Sequence, residues 1–141
     1  MMDISVVNKL YRAELPGREL LECEINSKGE VSFKAVASKD TLKILRSLKN
    51  QAVQDWSMPQ GNSSSEILVR ELIQKVRGTW FFPIEDPELC HCRKVSATKI
   101  DQAIVSGAHT IEKIRRITSA NTACGGCQDD IEKLLKFRLS C

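Results

Sequence analysis

From Leu20 to Ala35 the apolar residues of this chain fall on every second position; beyond residue 40 they fall three or four apart. Leu21, Cys23 and Ile25 alternate with Glu22 and Glu24, and after Asn26-Ser27-Lys28-Gly29, Val31, Phe33 and Ala35 alternate with Ser32 and Lys34. Period-two alternation on both sides of a glycine-containing turn predicts an amphipathic β-hairpin with one buried face. Cys23 falls on that face, where a cysteine is expected as a small core side chain. Upstream, Ile4, Val7 and Leu10 are spaced like one face of a short helix over residues 1–11, and Leu15-Pro16-Gly17 signals a turn. Downstream, Ser38 or Asp40 is placed to cap a helix whose stripe is Leu42, Leu45, Leu48, Ala52 or Val53, and Trp56. A polar loop over residues 57–64 precedes a further helix opened by Ser65-Glu66, carrying Ile67, Leu68, Leu72, Ile73 and Val76, and ended by Gly78. The first part of the chain therefore reads as a small α+β unit of hairpin plus helices.

The remainder reads as an all-helical helix-turn-helix module. Ser96 or Thr98 can cap a helix through Ile100, Ala103 and Ile104 to Gly107, Thr110 can cap another carrying Ile111, Ile114 and Ile117, and a third starts at Gln128. Thr79-Trp80-Phe81-Phe82-Pro83-Ile84 concentrates aromatics at the join, either to seal a seam between modules or to offer a docking patch. With Pro83 and Pro87 stiffening that join, the expected division is an α+β domain over residues 1–82 and a helical domain over 83–141.

Composition narrows the class. Hydrophobic content of 42% and charged content of 28% are ordinary for a folded chain, which argues against disorder. No apolar run approaches the roughly 20 residues needed to span a bilayer, and Met1-Met2-Asp3-Ile4-Ser5 lacks the pattern of a signal peptide, so a cytoplasmic protein without membrane association is expected. The net charge of +3 is uneven: residues 90–141 hold nine basic and five acidic side chains, while residues 1–89 are close to neutral. Lys113, Arg115 and Arg116 lie on one predicted helix, but no basic stripe with interleaved aromatics accompanies them, and nucleic-acid binding is not expected. Nothing resembles a nucleophile–base pair in a substrate pocket, so the chain is not expected to be an enzyme.

Candidate chemistry lies in four cysteines. Cys90 and Cys92 are separated by one residue; after 31 intervening residues comes Cys124-Gly125-Gly126-Cys127. Cytosolic thiols are reduced, which favours metal ligands over disulfides. Two thiol pairs suit an iron-sulfur cluster or a structural zinc ion, although zinc sites draw mainly on C-x2-4-C spacing. The second pair alone would also suit a dithiol redox motif, but no βαβ pattern precedes it. Cys124 and Cys127 precede a helix N-terminus, whose partial positive charge stabilises a thiolate. Cys23 and Cys141 stand outside the set. His91, between two candidate ligands, is expected to face solvent, and Arg93 and Lys94 either form a solvated face or offset cluster charge and steer an acidic partner.

The run Cys90-His91-Cys92-Arg93-Lys94-Val95-Ser96, with Lys99-Ile100-Asp101-Gln102-Ala103-Ile104, Gly107, Thr110-Ile111, Ile114, Thr118, Cys124-Gly125-Gly126-Cys127 and Asp130-Ile131-Glu132-Lys133-Leu134-Leu135, resembles the bacterioferritin-associated ferredoxin-like [2Fe-2S] domain. That domain also occurs in NifU-type assembly proteins and in assimilatory nitrite reductases. The resemblance covers about 50 residues, Leu89 to Leu139, and implies a small helical fold holding one [2Fe-2S] cluster through Cys90, Cys92, Cys124 and Cys127. Where the family carries glycines before the third cysteine, this chain has Asn121-Thr122-Ala123. The order of a strand hairpin followed by helices upstream is similar to the IscU-like scaffold domain that precedes the same module in NifU-type proteins. The scaffold's cysteines are not matched: only Cys23 lies in that half, inside a strand, and Ser38, Asp40 and Thr41 stand where a cysteine would follow the second strand. Together these resemblances imply a [2Fe-2S] protein for one-electron transfer in iron or iron-sulfur metabolism, working with a protein redox partner or with iron-sulfur assembly proteins. The alternatives are a NifU-related adaptor in cluster assembly and a zinc-stabilised interaction module.

Overall fold

The computed structural model describes residues 8–85, 87–90, 94–120 and 128–139, and of Cys90 the backbone alone. The chain divides into two compact units, one made of the chain up to Pro59 with Leu68–Trp80, the other of Gln60–Ile67 with the chain from Phe81 onward.

The first unit is built on an antiparallel sheet of β1 (Lys9–Leu15), β2 (Glu19–Ile25) and β3 (Val31–Val36), in that order. Tyr11, Cys23 and Phe33 lie opposite one another across the three strands, as do Ala13, Leu21 and Ala35. Ala13, Leu15, Leu21 and Cys23 are buried on this face. Arg12, Glu22 and Lys34 form a row of alternating charge on the other face, with Arg12 Nη2 2.9 Å from Glu22 Oε2. The hairpin expected from sequence is thus β2 and β3, and β1 is a third strand that sequence reading assigned in part to a helix over residues 1–11. Residues 1–7 lie outside the described residues, but Lys9, Leu10 and Tyr11 are strand. The reason is visible in Tyr11, Ala13 and Leu15, which alternate with Leu10, Arg12 and Glu14: pairing with β2 buries Ala13 and Leu15, whereas Leu10 stays exposed.

Helix α1 (Lys39–Lys49) lies against β3 and starts where Ser38 Oγ accepts from the Thr41 amide. Glu19, buried at the start of β2, accepts hydrogen bonds from the Thr41 and Ser38 hydroxyls and so fastens this helix end to the sheet. The helix ends at Asn50, earlier than the stripe to Trp56 suggests. A single 3-10 turn over Val53–Asp55 follows, and Trp56 reaches the core by other means. Its indole Nε1 donates to the Leu48 carbonyl at 2.9 Å, and its ring sits 5.8 Å from that of Phe33. A buried indole N–H needs such a partner. Helix α2 (Ser64–Arg77) buries Leu68, Val69, Leu72 and Ile73. Its Lys75 Nζ donates to the Arg12 carbonyl of β1, and Arg77 Nη2 donates to the Val53 and Trp56 carbonyls.

The second unit opens with a small ladder of β4 (Glu88–Cys90) and β5 (Val95–Ser96), so it is mostly rather than wholly helical. Three helices follow: α3 (Ala97–Ser106), α4 (Ile111–Thr118) and α5 (Gln128–Arg138). Ser96 and Thr110 cap α3 and α4 by accepting from the amides three residues on, and Gly107, at φ 127°, closes α3 in a conformation that a side chain would strain. Ser64 Oγ, in the first turn of α2, donates to the Val105 carbonyl at 2.6 Å. Phe82 meets Phe137 edge to face at 6.0 Å, while Phe81 is exposed, so the aromatic run is divided between packing and surface. Among the described residues no helix is long and apolar enough to cross a membrane.

Candidate metal centre

The structure describes the supports of the four-cysteine constellation rather than its sulfur atoms. Cys90 ends β4, while Cys92, Cys124 and Cys127 lie outside the described residues, as do His91, Arg93 and Cys141. What can be placed is the chain on either side of each pair.

On one side of the first pair, Leu89 is 4% exposed, and on the other Val95 is 4% exposed. Cys90 pairs with Val95 across the ladder of β4 and β5. Lys94, immediately before β5, takes a left-handed conformation at φ 54°, which costs a non-glycine residue roughly 1 kcal/mol. That cost falls at the residue immediately before β5. The Ala97 amide donates to the Pro87 carbonyl at 2.8 Å, a further tie beside the β4–β5 ladder.

In sequence the second pair falls between the end of α4 and the start of α5. Helix α4 runs out at Thr118, Ser119 turns left-handed at φ 68°, and Ala120 is fully buried. Thr118 organises this exit. Its buried hydroxyl donates to the Ile114 carbonyl at 2.7 Å and accepts from the Ala120 amide at 3.1 Å. Helix α5 begins at Gln128, the residue after Cys127, and buries Ile131 one turn later. Asp129 and Asp130 in its first turn complement the positive end of the helix dipole.

Leu89, Val95, Ala120 and Ile131, which flank the two pairs, belong to one buried cluster with Ala97, Ile100, Ala103, Ile104, Ala108, Ile114 and Leu134. The sequence expected two helices to fold back and bring the pairs together; the described residues that flank the pairs meet in a common core, while Cys92, Cys124 and Cys127 lie outside the described residues. A second tie crosses the unit at Asp101 of α3 and Arg138 of α5, whose side chains form a two-point ion pair at 2.6 and 2.7 Å. Sequence reading attached no role to Asp101, Arg138 or Thr118, because none of their contacts follows from local spacing.

Residues 89–136 match the BFD-like [2Fe-2S] binding domain. Over these residues the second unit is therefore similar to an iron-sulfur-binding domain. The match begins at the buried Leu89 of β4 and ends within α5, and it spans all four cysteines. A stretch of 53 residues is also 34% identical to the nitrite reductase [NAD(P)H] large subunit of Klebsiella oxytoca; it covers 38% of this chain and 6% of that protein. The likeness is therefore to one small segment of a much longer chain. No solved structure matches the chain.

The donor set suits the family's cluster. Four thiols in two pairs match the all-cysteine ligation of a [2Fe-2S] centre, and the supporting segments converge on one core. Among the described residues no group of three or more His, Cys, Asp or Glu side chains is gathered in a way that would hold a metal ion. Cys23 is fully buried in β2, and burial pushes its thiol up from 9.0 to about 11. It is the small core side chain that the sequence suggested, and a neutral thiol there is a poor ligand or nucleophile.

Proposed function

We propose that Cys90, Cys92, Cys124 and Cys127 hold one [2Fe-2S] cluster and that the protein works as a one-electron carrier in iron or iron-sulfur metabolism, in the cytoplasm and together with a protein redox partner. The observation that carries this reading is the burial of Leu89, Val95, Ala120 and Ile131 in one cluster, since these residues fix the chain ends from which both cysteine pairs depart. When bound, the cluster supplies a site that gains and loses a single electron without bond making in the protein. The chain's own contribution would be to supply four thiolates from segments anchored in one core and to offset a net negative group with the basic excess of its C-terminal segment. This is carrier chemistry, and the protein is read as a binding protein rather than an enzyme.

A second reading is an adaptor in cluster assembly. Its support is the upstream order of a three-stranded sheet followed by helices, with Ser38 and Thr41 gathered on Glu19 at the junction. Hydroxyls and a carboxylate that bond one another favour a packing role there over transient iron binding. A zinc-stabilised interaction module is the remaining alternative. Reduction by one electron separates the readings: a carrier should show a reversible couple and a spin-resonance signal in the reduced state. Loss of the cluster to an apo-acceptor without reversible reduction favours the adaptor, and a colourless protein without any couple favours zinc.

A further inference from the structure

Helix α4 carries one exposed face that is both basic and apolar. Ile117 is 60% exposed, and Lys113 and Arg116 are exposed beside it. At about 100° per residue these three project to one side, with Lys113 and Ile117 one turn apart. Ile114 and Thr118, farther round the helix, are buried in the core. Among the described residues neither Lys113 nor Arg116 takes part in an ion pair; Glu112, exposed on the same helix, leaves the face net positive. The helix runs through Ser119 into the buried Ala120, and three residues then lead to Cys124.

We propose that the Lys113, Arg116 and Ile117 face of α4 is the docking site for an acidic protein surface, that of the partner which exchanges electrons with this unit. The electron-exchange part rests on the cluster reading above; the docking part rests on the helix face itself. An exposed aliphatic residue flanked by unpaired cations has the make-up of a small, electrostatically steered interface, with an apolar centre and a charged rim. Phosphate backbones would use the cations but not the isoleucine, and no aromatic side chain on α4 is available for base stacking, so a protein fits this face better than a nucleic acid. The charge asymmetry of the chain points the same way. The excess of basic residues lies in the C-terminal segment, while residues 1–89 are near neutral, which gives a second copy of this chain little to offer as the acidic partner.

The test is a titration of isotope-labelled full-length protein with a flavodoxin, an acidic flavin protein, followed by amide shifts and by visible absorbance in the same samples. Shifts should centre on residues 113, 116 and 117 and weaken as salt rises. The double variant Lys113→Glu, Arg116→Glu should bind at least about tenfold more weakly and lose most of the salt dependence, and Ile117→Ser should weaken binding while keeping it. Unchanged affinity in the charge-reversed variant, shifts centred elsewhere, or tighter binding of a short DNA duplex to the same residues at physiological salt would each overturn the proposal. A colourless protein that still binds through α4 contradicts the cluster reading and leaves the docking site standing. A coloured protein that ignores the flavodoxin does the reverse.

Discussion

Arg138, in the last turn of α5, donates through Nε and Nη2 to both carboxylate oxygens of Asp101 in α3, at 2.6 and 2.7 Å, with both side chains largely withdrawn from solvent. The pair joins residues 37 apart in a unit whose other described ties between helices are mainly apolar. A planar guanidinium held at two points by a carboxylate fixes orientation as well as distance. Removing one partner strands a buried charge. Asp101→Asn should therefore cost about 3 kcal/mol in urea unfolding, and the double variant Asp101→Leu, Arg138→Met should recover most of that loss. An equal loss in the single and double variants would show that the cost does not come from a stranded Arg138 charge.

Thr118 should matter more for the chain beyond it than for α4 itself. Its hydroxyl bonds to the Ile114 carbonyl and to the Ala120 amide, so Thr118→Val keeps the shape and removes both bonds. The expected cost is about 1–2 kcal/mol, with faster hydrogen exchange at the Ala120 amide, and Thr118→Ser should restore protection. Faster iron loss to a chelator should accompany the Val variant. If Ala120 exchanges at the same rate in wild type and variant, the hydroxyl does not hold the exit of α4.

Cys23 gives the fold a signature in alkaline solution. Burial raises its thiol from 9.0 to about 11, so between those values the unfolded chain releases a proton that the folded chain retains. Stability from this group is full below about pH 9 and is lost as pH rises through about 11. Unfolding measured from pH 8 to 11 should thus slope downward more steeply in wild type than in Cys23→Ala. Parallel curves would place the thiol in contact with water. In the native protein Cys23 should also resist alkylation at pH 8.

Much of this architecture was legible from local pattern, and the failures share one cause. The alternation of Leu21, Cys23 and Ile25 with Val31, Phe33 and Ala35 foretold β2 and β3, and Ser38, Ser96, Thr110 and Gly107 marked helix ends correctly. The first strand was obscured because Ile4, Val7 and Leu10 mimic a helical face, although Ala13 and Leu15 carried the strand signal. In α4 the spacing of Ile111, Ile114 and Ile117 looked like one apolar stripe. Steps of three residues drift by about 60° each around a helix, so with Ile114 facing the core, Ile111 is half-buried and Ile117 turns to solvent. Trp56 continued the stripe of α1 on paper, yet the helix stops at Asn50 and the indole is placed by its bond to Leu48. Contacts such as Asp101 with Arg138 depend on which surfaces meet, which no spacing encodes. In the candidate site the cysteine spacing left an iron-sulfur cluster and a zinc ion open and the family resemblance pointed to the cluster, whereas the supports Ala120 and Thr118 became evident only from burial and hydrogen bonding.

The central claim is that the two cysteine pairs jointly hold a [2Fe-2S] cluster, and the iron and acid-labile sulfide content of the full chain purified without oxygen tests it most directly. The account predicts red-brown protein with two irons and two sulfides per chain, both retained in Cys23→Ala and both lost in Cys124→Ser. Colourless protein with one zinc and no sulfide, or full colour in Cys124→Ser, would contradict it.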